Sequence, residues 1–299
     1  MKRIVSVSLG SSKRNHAIET ELLGERFRIE RIGTDGDWER AIQLICELDG
    51  KVDAFGMGGI DLYVYVAGKR YVIRDARKLL RAARVTPMVD GSGLKNTLER
   101  RCIQQIQANG WVDLPGKKVL LVSAVDRFGM AEAFVEAGCD MVFGDLIYTI
   151  GIPIPLRSLR ALRLVGRTVA PIVVNLPFDM LYPTGAKQEE IIPRHSRFYH
   201  QADIIAGDFL YIRRYLPERL DGKIIVTNTT TREDQELLRA RGVSMLITTT
   251  PEMEGRSFGT NVMEALLVCI LGKPVQDITP ADYLELLERL DFKPGLVRF

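Results

Sequence analysis

The residue types best suited to chemistry gather in a few short, glycine-punctuated stretches. In "VDGSGLKNTLERR" an apolar run ends at Asp90, turns through Gly91-Ser92-Gly93 and opens a helical pattern with Lys95, Asn96 and Thr97 in its first turn. Free amides and the dipole at such a start favour an anion, and Lys95 adds a mobile proton donor. Burial and neighbouring cations would lower the Lys95 pKa toward that of an acid–base group, with Asp90 or Asp126 orienting it. The spacing departs from that of a P-loop. "VSLGSSKRNHA" sets Ser11, Ser12, Lys13, Arg14 and His16 after a strand pattern. There hydroxyls and cations suit a small polar substrate, and a helix cap at Ser12 or Asn15 is the plainer reading. "FGMGGIDLY" offers Gly56, Gly58 and Gly59 as an amide nest or a simple turn. "TTTPEMEGRSFGTNVMEAL" surrounds Arg256 with small polar groups, the composition of a loop that touches ligand.

A fifth stretch, "LLVSAVDRFGMAEAFVEAGCDMVFGD" from Leu120 to Asp145, follows the order of a dinucleotide-binding unit: strand, turn, amphipathic helix, strand, carboxylate. Glycines serve in such a unit for a tight turn, for approach of the pyrophosphate and for close packing of the helix. Here Ser123 takes the first place and Gly129 the third, whereas Val125 and Asp126 stand where the pyrophosphate would lie. Arg127 could bind a phosphate bidentately, and Asp145 lies near the spacing of a carboxylate that accepts from an adenosine ribose. Ser123, Arg127, Gly129 and Asp145 are thus the candidates for holding NAD or NADP. The alternative is a unit that keeps the fold without the cofactor.

Composition narrows the classes. The 299 residues carry a formal net charge of +3 with acids and bases interspersed, not the basic stripe of a nucleic-acid binder. Cys46, Cys102, Cys139 and Cys269 lie far apart, without metal or redox spacing, and His195 and His200 lack ligand partners, so no metal is expected. The start "MKRIVSVSLG" enters a strand pattern without an apolar leader, the expectation being a cytoplasmic protein. The most apolar region, from Gly151 to Pro183, is interrupted by arginines and prolines. It reads as buried or subunit-facing in a homodimer, not as a membrane span.

Elements that could position these residues follow from periodicity. Apolar strand runs alternate with helical ones, which implies an α/β fold with largely parallel sheets. "RIVSVSL", "FRIERIG" and "TPMVDG" read as strands, "HAIETELLGE" as a helix, and "LYVYVAGKRYVI" as a hairpin turning at Gly68. The boundary signal of Pro115-Gly116 divides the chain into a smaller N-terminal α/β domain, 1–114, and a Rossmann-like doubly wound domain, 115–299. The second contains an insertion at 151–200, with Tyr182 and Lys187 in a candidate lid, and a C-terminal helix whose N-cap is Thr279 with Asp282 three residues on.

In "SLGSSKRNHA", "DGSGLKNTLERR", the Leu120–Asp145 unit and "GRSFGTNVMEAL", the chain resembles the quinate/shikimate dehydrogenase family over nearly its whole length. The resemblance implies two α/β domains with a cleft between them, Ser11 and Ser12 on the substrate, and proton transfer by a Lys and Asp pair. Lys95-Asn96-Thr97 is similar to the family's segment, but Leu98 stands where its catalytic Asp would be. The expectation is an NAD(P)-dependent oxidoreductase of a small hydroxylated carboxylate, with Lys95, Asp90 and Asp126 catalytic and Ser11, Ser12, Asn96 and Arg256 holding substrate. The alternative is a non-redox ligand-binding or regulatory module for an anionic metabolite or a nucleotide; on either reading the expected partner is a small anionic or hydroxylated metabolite. A non-redox transferase using the Gly91–Lys95 loop is a third.

Overall fold

The computed structural model describes residues 1–66, 69–177, 190–253, 256–257 and 259–299. The first part of the chain runs β1 (Lys2–Ser8), β2 (His16–Leu22), β3 (Glu25–Gly33), α1 (Trp38–Leu48), β4 (Ala54–Gly58), β5 (Tyr63–Val66), β6 (Lys69–Val72), α2 (Ala76–Leu80), β7 (Met88–Val89) and α3 (Ser92–Ala108). β1 is buried from Ile4 to Ser8 without alternation, as befits a central strand covered on both faces. The segment expected as a helix, "HAIETEL", is instead β2. Leu23 and Gly24, with φ of 51° and 78°, form a two-residue turn that folds it back against β3, Leu22 opposite Glu25. Buried Ile18 between exposed Ala17 and Glu19 is the period-two signal that outweighs the helical composition. Among the described residues the first sheet has the order β2-β3-β1-β4-β7, all parallel except β2. The hairpin β5–β6 stands apart from it, and its expected turn at Gly68 lies outside the described residues.

The remainder runs β8 (Lys118–Leu121), α4 (Phe128–Glu136), β9 (Asp140–Phe143), α5 (Leu159–Val173), α6 (Arg197–Gln201), β10 (Ile204–Gly207), α7 (Phe209–Arg214), β11 (Ile224–Thr227), α8 (Arg232–Ala240), β12 (Met245–Thr248), β13 (Glu252–Met253), β14 (Arg256–Ser257), α9 (Thr260–Leu271), α10 (Pro280–Arg289) and β15 (Gly295–Arg298). The second sheet has the order β9-β8-β10-β11-β12-β15, parallel but for β15 on its edge. The order reverses between β8 and β10, the crevice where open α/β sheets place ligands. The expected α/β class with a doubly wound second sheet is the observed one.

Packing joins the two sheets more closely than a division at Leu114 implies. One face of the first sheet is covered by α1 and α2, with Val5, Val7, Phe55 and Met57 against Ala41, Ile45 and Leu79. Its other face packs on α3 and on α9 and α10, with Ile4, Ile29 and Ala54 against Leu94, Leu98, Val262 and Leu266. The last helices thus return to the first sheet, while α3 also lies along α4 of the second unit. In the 151–200 region α5 and the residue that caps it span both units, Leu162 in the second unit's core and the C-cap Val174 in the first's. Tyr182 and Lys187 lie outside the described residues. Thr279 and Asp282 form the expected reciprocal cap.

Candidate functional site

Loops from the carboxyl ends of both sheets meet beside α3. Lys95, in the first turn of that helix, points its Nζ at both carboxylate oxygens of Asp126, 3.1 and 3.0 Å away, and lies 3.5 Å from Asp61. Asp126 belongs to the turn after β8, and Asp61 follows the glycines at the end of β4. One turn along the same face of α3, Glu99 pairs with Arg127 deep in the structure, both side chains 2% exposed. Arg127 also donates to Asp208, 3.1 Å away in the loop after β10, and Asp208 accepts from Asn228 at 2.8 Å. Arg127 therefore spans the β8–β10 switch point and ties it to α3. Beside these groups opens a small cleft lined also by Tyr63, Tyr65, Asn96 and Phe128.

The charges are mutually matched. Burial lowers the Lys95 pKa, but Asp126 and Asp61 outweigh it, so the ammonium is held well above its ordinary range. This corrects the expectation of a Lys95 made less basic: its nearest charges are carboxylates. Burial pushes Asp126 up, yet Lys95 and Arg127 bring it below the usual carboxylate range. Asp61 is pushed up to about 7 by burial, against the pull of Lys95 and with the nearby carboxylates of Asp126 and Asp90 adding to it.

The remaining expected site residues are distributed differently. Asp90 does not orient Lys95. It accepts from the Leu62 amide at 2.5 Å, the Ser92 amide at 3.1 Å and the Ser92 hydroxyl at 2.5 Å, and so caps its own turn. The amides beyond it, expected to receive an anion, already face the Glu264 carboxylate of α9. Glu264 accepts from the Gly91 amide at 2.6 Å and from the Tyr283 hydroxyl at 2.9 Å. Ser11 and Ser12 do not line the cleft. The Ser11 hydroxyl accepts from the Lys13 amide at 3.3 Å, and the Ser12 amide donates to Asp35 at 2.7 Å. Arg256 is in β14, paired with β13, and its side chain lies outside the described residues. Asn96 does line the cleft and rests on Gly129, where a side chain's Cβ would come 2.9 Å from the Asn96 carbonyl oxygen.

The expected cofactor turn does not fit a dinucleotide. Asp145, expected to hold a ribose, folds back onto the turn, where its Oδ1 accepts from the Ala124 amide at 3.0 Å and the Val125 amide at 2.9 Å. Burial pushes its carboxyl up to about 6 despite those amides. A carboxylate thus occupies donors that a pyrophosphate would need, and Arg127, the expected phosphate ligand, is committed to Glu99 and Asp208. Ser123 begins this turn outside the cleft lining, and Gly129 serves helix packing rather than a phosphate. Among the described residues no group of His, Cys, Asp and Glu is placed to hold a metal ion. No helix of the described residues is long and apolar enough to cross a membrane.

Sequence reasoning missed Asp61, Glu99, Asp208 and Glu264. The first three had legible signals: a carboxylate after a strand-end glycine run, an acid one helical turn from Lys95, and an acid closing the strand pattern "ADIIAGD". Glu264, inside the apolar run of α9, had none, because its partners are set by a contact across 173 residues of chain.

The fold and site define an α/β protein built on two open sheets whose strand-end loops meet at a charged cleft. The chain belongs to the family described as domain of unknown function DUF8754, whose model matches residues 93–299. The model of a second, DUF8753, matches residues 3–90. No curated protein matches the chain. Similar solved structures are mostly sugar-binding proteins. A galactofuranose binding protein is 11% identical over 97% of this chain and 99% of its own, with a TM-score of 0.37. A substrate-binding protein of a sugar ABC transport system from Bordetella parapertussis 12822 is 11% identical over 99% and 89%, with a TM-score of 0.38. The arabinose-transporter binding protein from Shewanella sp. ANA-3 is 8% identical over 96% and 95%, with a TM-score of 0.35. The oxidoreductase expected from the quinate/shikimate resemblance is corrected on the geometry: the turn that would admit NAD or NADP is filled by the protein's own carboxyl group.

Proposed function

We propose that the protein is a non-redox ligand-binding module that takes a small hydroxylated metabolite in the cleft beside Lys95. One observation carries this reading. Lys95 of α3 meets Asp126 from the switch-point turn of the second sheet on a tyrosine-lined cleft, and is also held by Asp61 from a strand-end loop of the first. Strand-end loops converging on a cleft with a few fixed polar groups are the usual setting of a small-molecule site.

Calorimetric titration of the full chain with a panel of small polyols, aldoses and hydroxy acids tests it. At least one compound is expected to bind saturably, with affinity reduced at least tenfold by Asp126→Asn. No binding by any compound up to millimolar concentration, or binding indifferent to both Asp126→Asn and Lys95→Met, would overturn the reading. NADH and NADPH are expected to leave the emission of Trp38 and Trp111 unchanged.

A further inference from the structure

We infer that the protein docks on an anionic membrane surface, without crossing the bilayer, through isoleucines that stand out after β9 and before α6. The charge pattern leads there. Residues 146–177 and 191–202 carry six arginines and no acidic residue, although the whole chain has a formal net charge of only +3. The rest of the chain is therefore acidic on balance. Tertiary structure brings the two stretches together: a Cβ on Gly151 would come 3.4 Å from the Arg194 guanidinium, and the Tyr148 hydroxyl donates to the His195 carbonyl at 3.5 Å. In the segments that meet there, Ile150, Ile152, Ile154 and Ile192 are between 44% and 56% exposed.

The arginines fall into two groups. Arg157 pairs with Asp140 at 3.9 Å and Arg163 with Glu132 at 2.9 Å. Arg160 and Arg194 are exposed and make no ion pair among the described residues. One helical turn after Arg160, α5 turns Leu164 outward, 67% exposed. Unpaired cations beside protruding aliphatic side chains suit a surface of phosphates above hydrocarbon. The aliphatic groups enter the acyl boundary, and the guanidiniums stay among the headgroups. Two other occupants match less well. A two-fold contact with a second copy sets the patch against itself, arginine facing arginine. Protein interfaces draw on packed aromatic anchors. Tyr148, Phe198 and Tyr199, the aromatic residues of the two stretches, are all buried. A bilayer requires neither aromatic anchors nor a matched shape.

Co-sedimentation of the full chain with vesicles tests the inference, using phosphatidylcholine alone and phosphatidylcholine mixed with phosphatidylglycerol, at low and high salt. Saturable binding to the mixed vesicles is expected, about tenfold weaker without phosphatidylglycerol or at high salt. Changing Ile152→Ser and Ile154→Ser together is expected to weaken it about tenfold, with the melting temperature unchanged because both side chains are exposed. If that double variant is less stable, Arg160→Gln with Arg194→Gln decides, since it is expected to remove most of the preference for the anionic lipid. Absence of binding to the mixed vesicles, or binding indifferent to both double variants, would overturn the inference. Self-association in analytical ultracentrifugation that Ile152→Ser with Ile154→Ser abolishes, without vesicle binding, would overturn it in favour of a second copy of the chain.

Discussion

At the scale of single residues, Arg127 carries the most consequence. Its guanidinium reaches both Glu99 of α3 and Asp208 at the switch point, and it is almost wholly buried. Removing one partner of a buried pair leaves the other charged and desolvated, which costs about 3–5 kcal/mol. Arg127→Met is expected to lower the unfolding free energy by that order in urea titration, and Glu99→Gln by less, since a neutral amide can still accept from the guanidinium. Glu264 makes a second residue-scale prediction. Burial, with Asp90 nearby, pushes its carboxyl up to about 8, against the Tyr283 hydroxyl and the Gly91 amide. A carboxyl raised in the folded state holds a proton that the unfolded chain releases. Its contribution is therefore complete below the ordinary carboxylate range and is lost as pH rises through about 8. Glu264→Gln keeps a neutral group in place, so the stability difference between wild type and variant is expected to shift by a few kcal/mol between pH 5 and 8. Urea unfolding at three pH values reads it, and a parallel pair of curves would remove Glu264 as the cause.

At the scale of elements, the site depends on how closely α3 approaches α4. Gly129 lies where the two helices touch, and a Cβ there would come 2.9 Å from the Asn96 carbonyl oxygen, which is fixed within α3. Overpacking of this kind costs about 1–3 kcal/mol and shifts backbone. Gly129→Ala is expected to lower the melting temperature and to weaken ligand binding together, because Asn96, Lys95 and Glu99 move with α3. Thermal unfolding and calorimetry on one preparation measure both. Gly129 was legible in the sequence as a packing glycine, but its partner was not. The dinucleotide pattern assigns it to helix-on-strand contact, whereas the neighbour is a helix from the preceding unit. The same holds for β2. Its composition suits a helix, and the turn at Leu23-Gly24 and pairing with β3, with the alternation around Ile18, make it a strand.

At the scale of the whole molecule, the first sheet is completed by the end of the chain. Val262, Met263, Ala265, Leu266 and Leu267 of α9 are buried among Ile4, Ile29 and Ala54. At roughly 25 cal/mol per Å² of apolar surface, exposing such a helix-covered face removes most of what holds a small sheet together. A fragment of residues 1–114 is thus expected to lack a cooperative thermal transition, and co-expression with residues 115–299 to restore one. Circular dichroism of the fragment alone decides it: a sharp, reversible melt would show that α9 and α10 are dispensable to the first sheet.

What the sequence determined by itself is local or periodic. The apolar runs of β1 and β8–β12, the cap at Thr279, the strand-end positions of Lys95 and Asp126, and the α/β class all rest on residues within a few positions of one another. Which groups face one another was decided only by the tertiary structure. Asp145 and Glu264 fill, with the protein's own carboxyl groups, two of the amide clusters that look from the sequence like anion sites. Lys95 meets acids from two sheets and becomes more basic, where its local sequence suggested the opposite. The physical reason is that hydrogen-bond donors are satisfied by whatever acceptor packing brings within 3 Å, and packing here joins residues far apart in the chain.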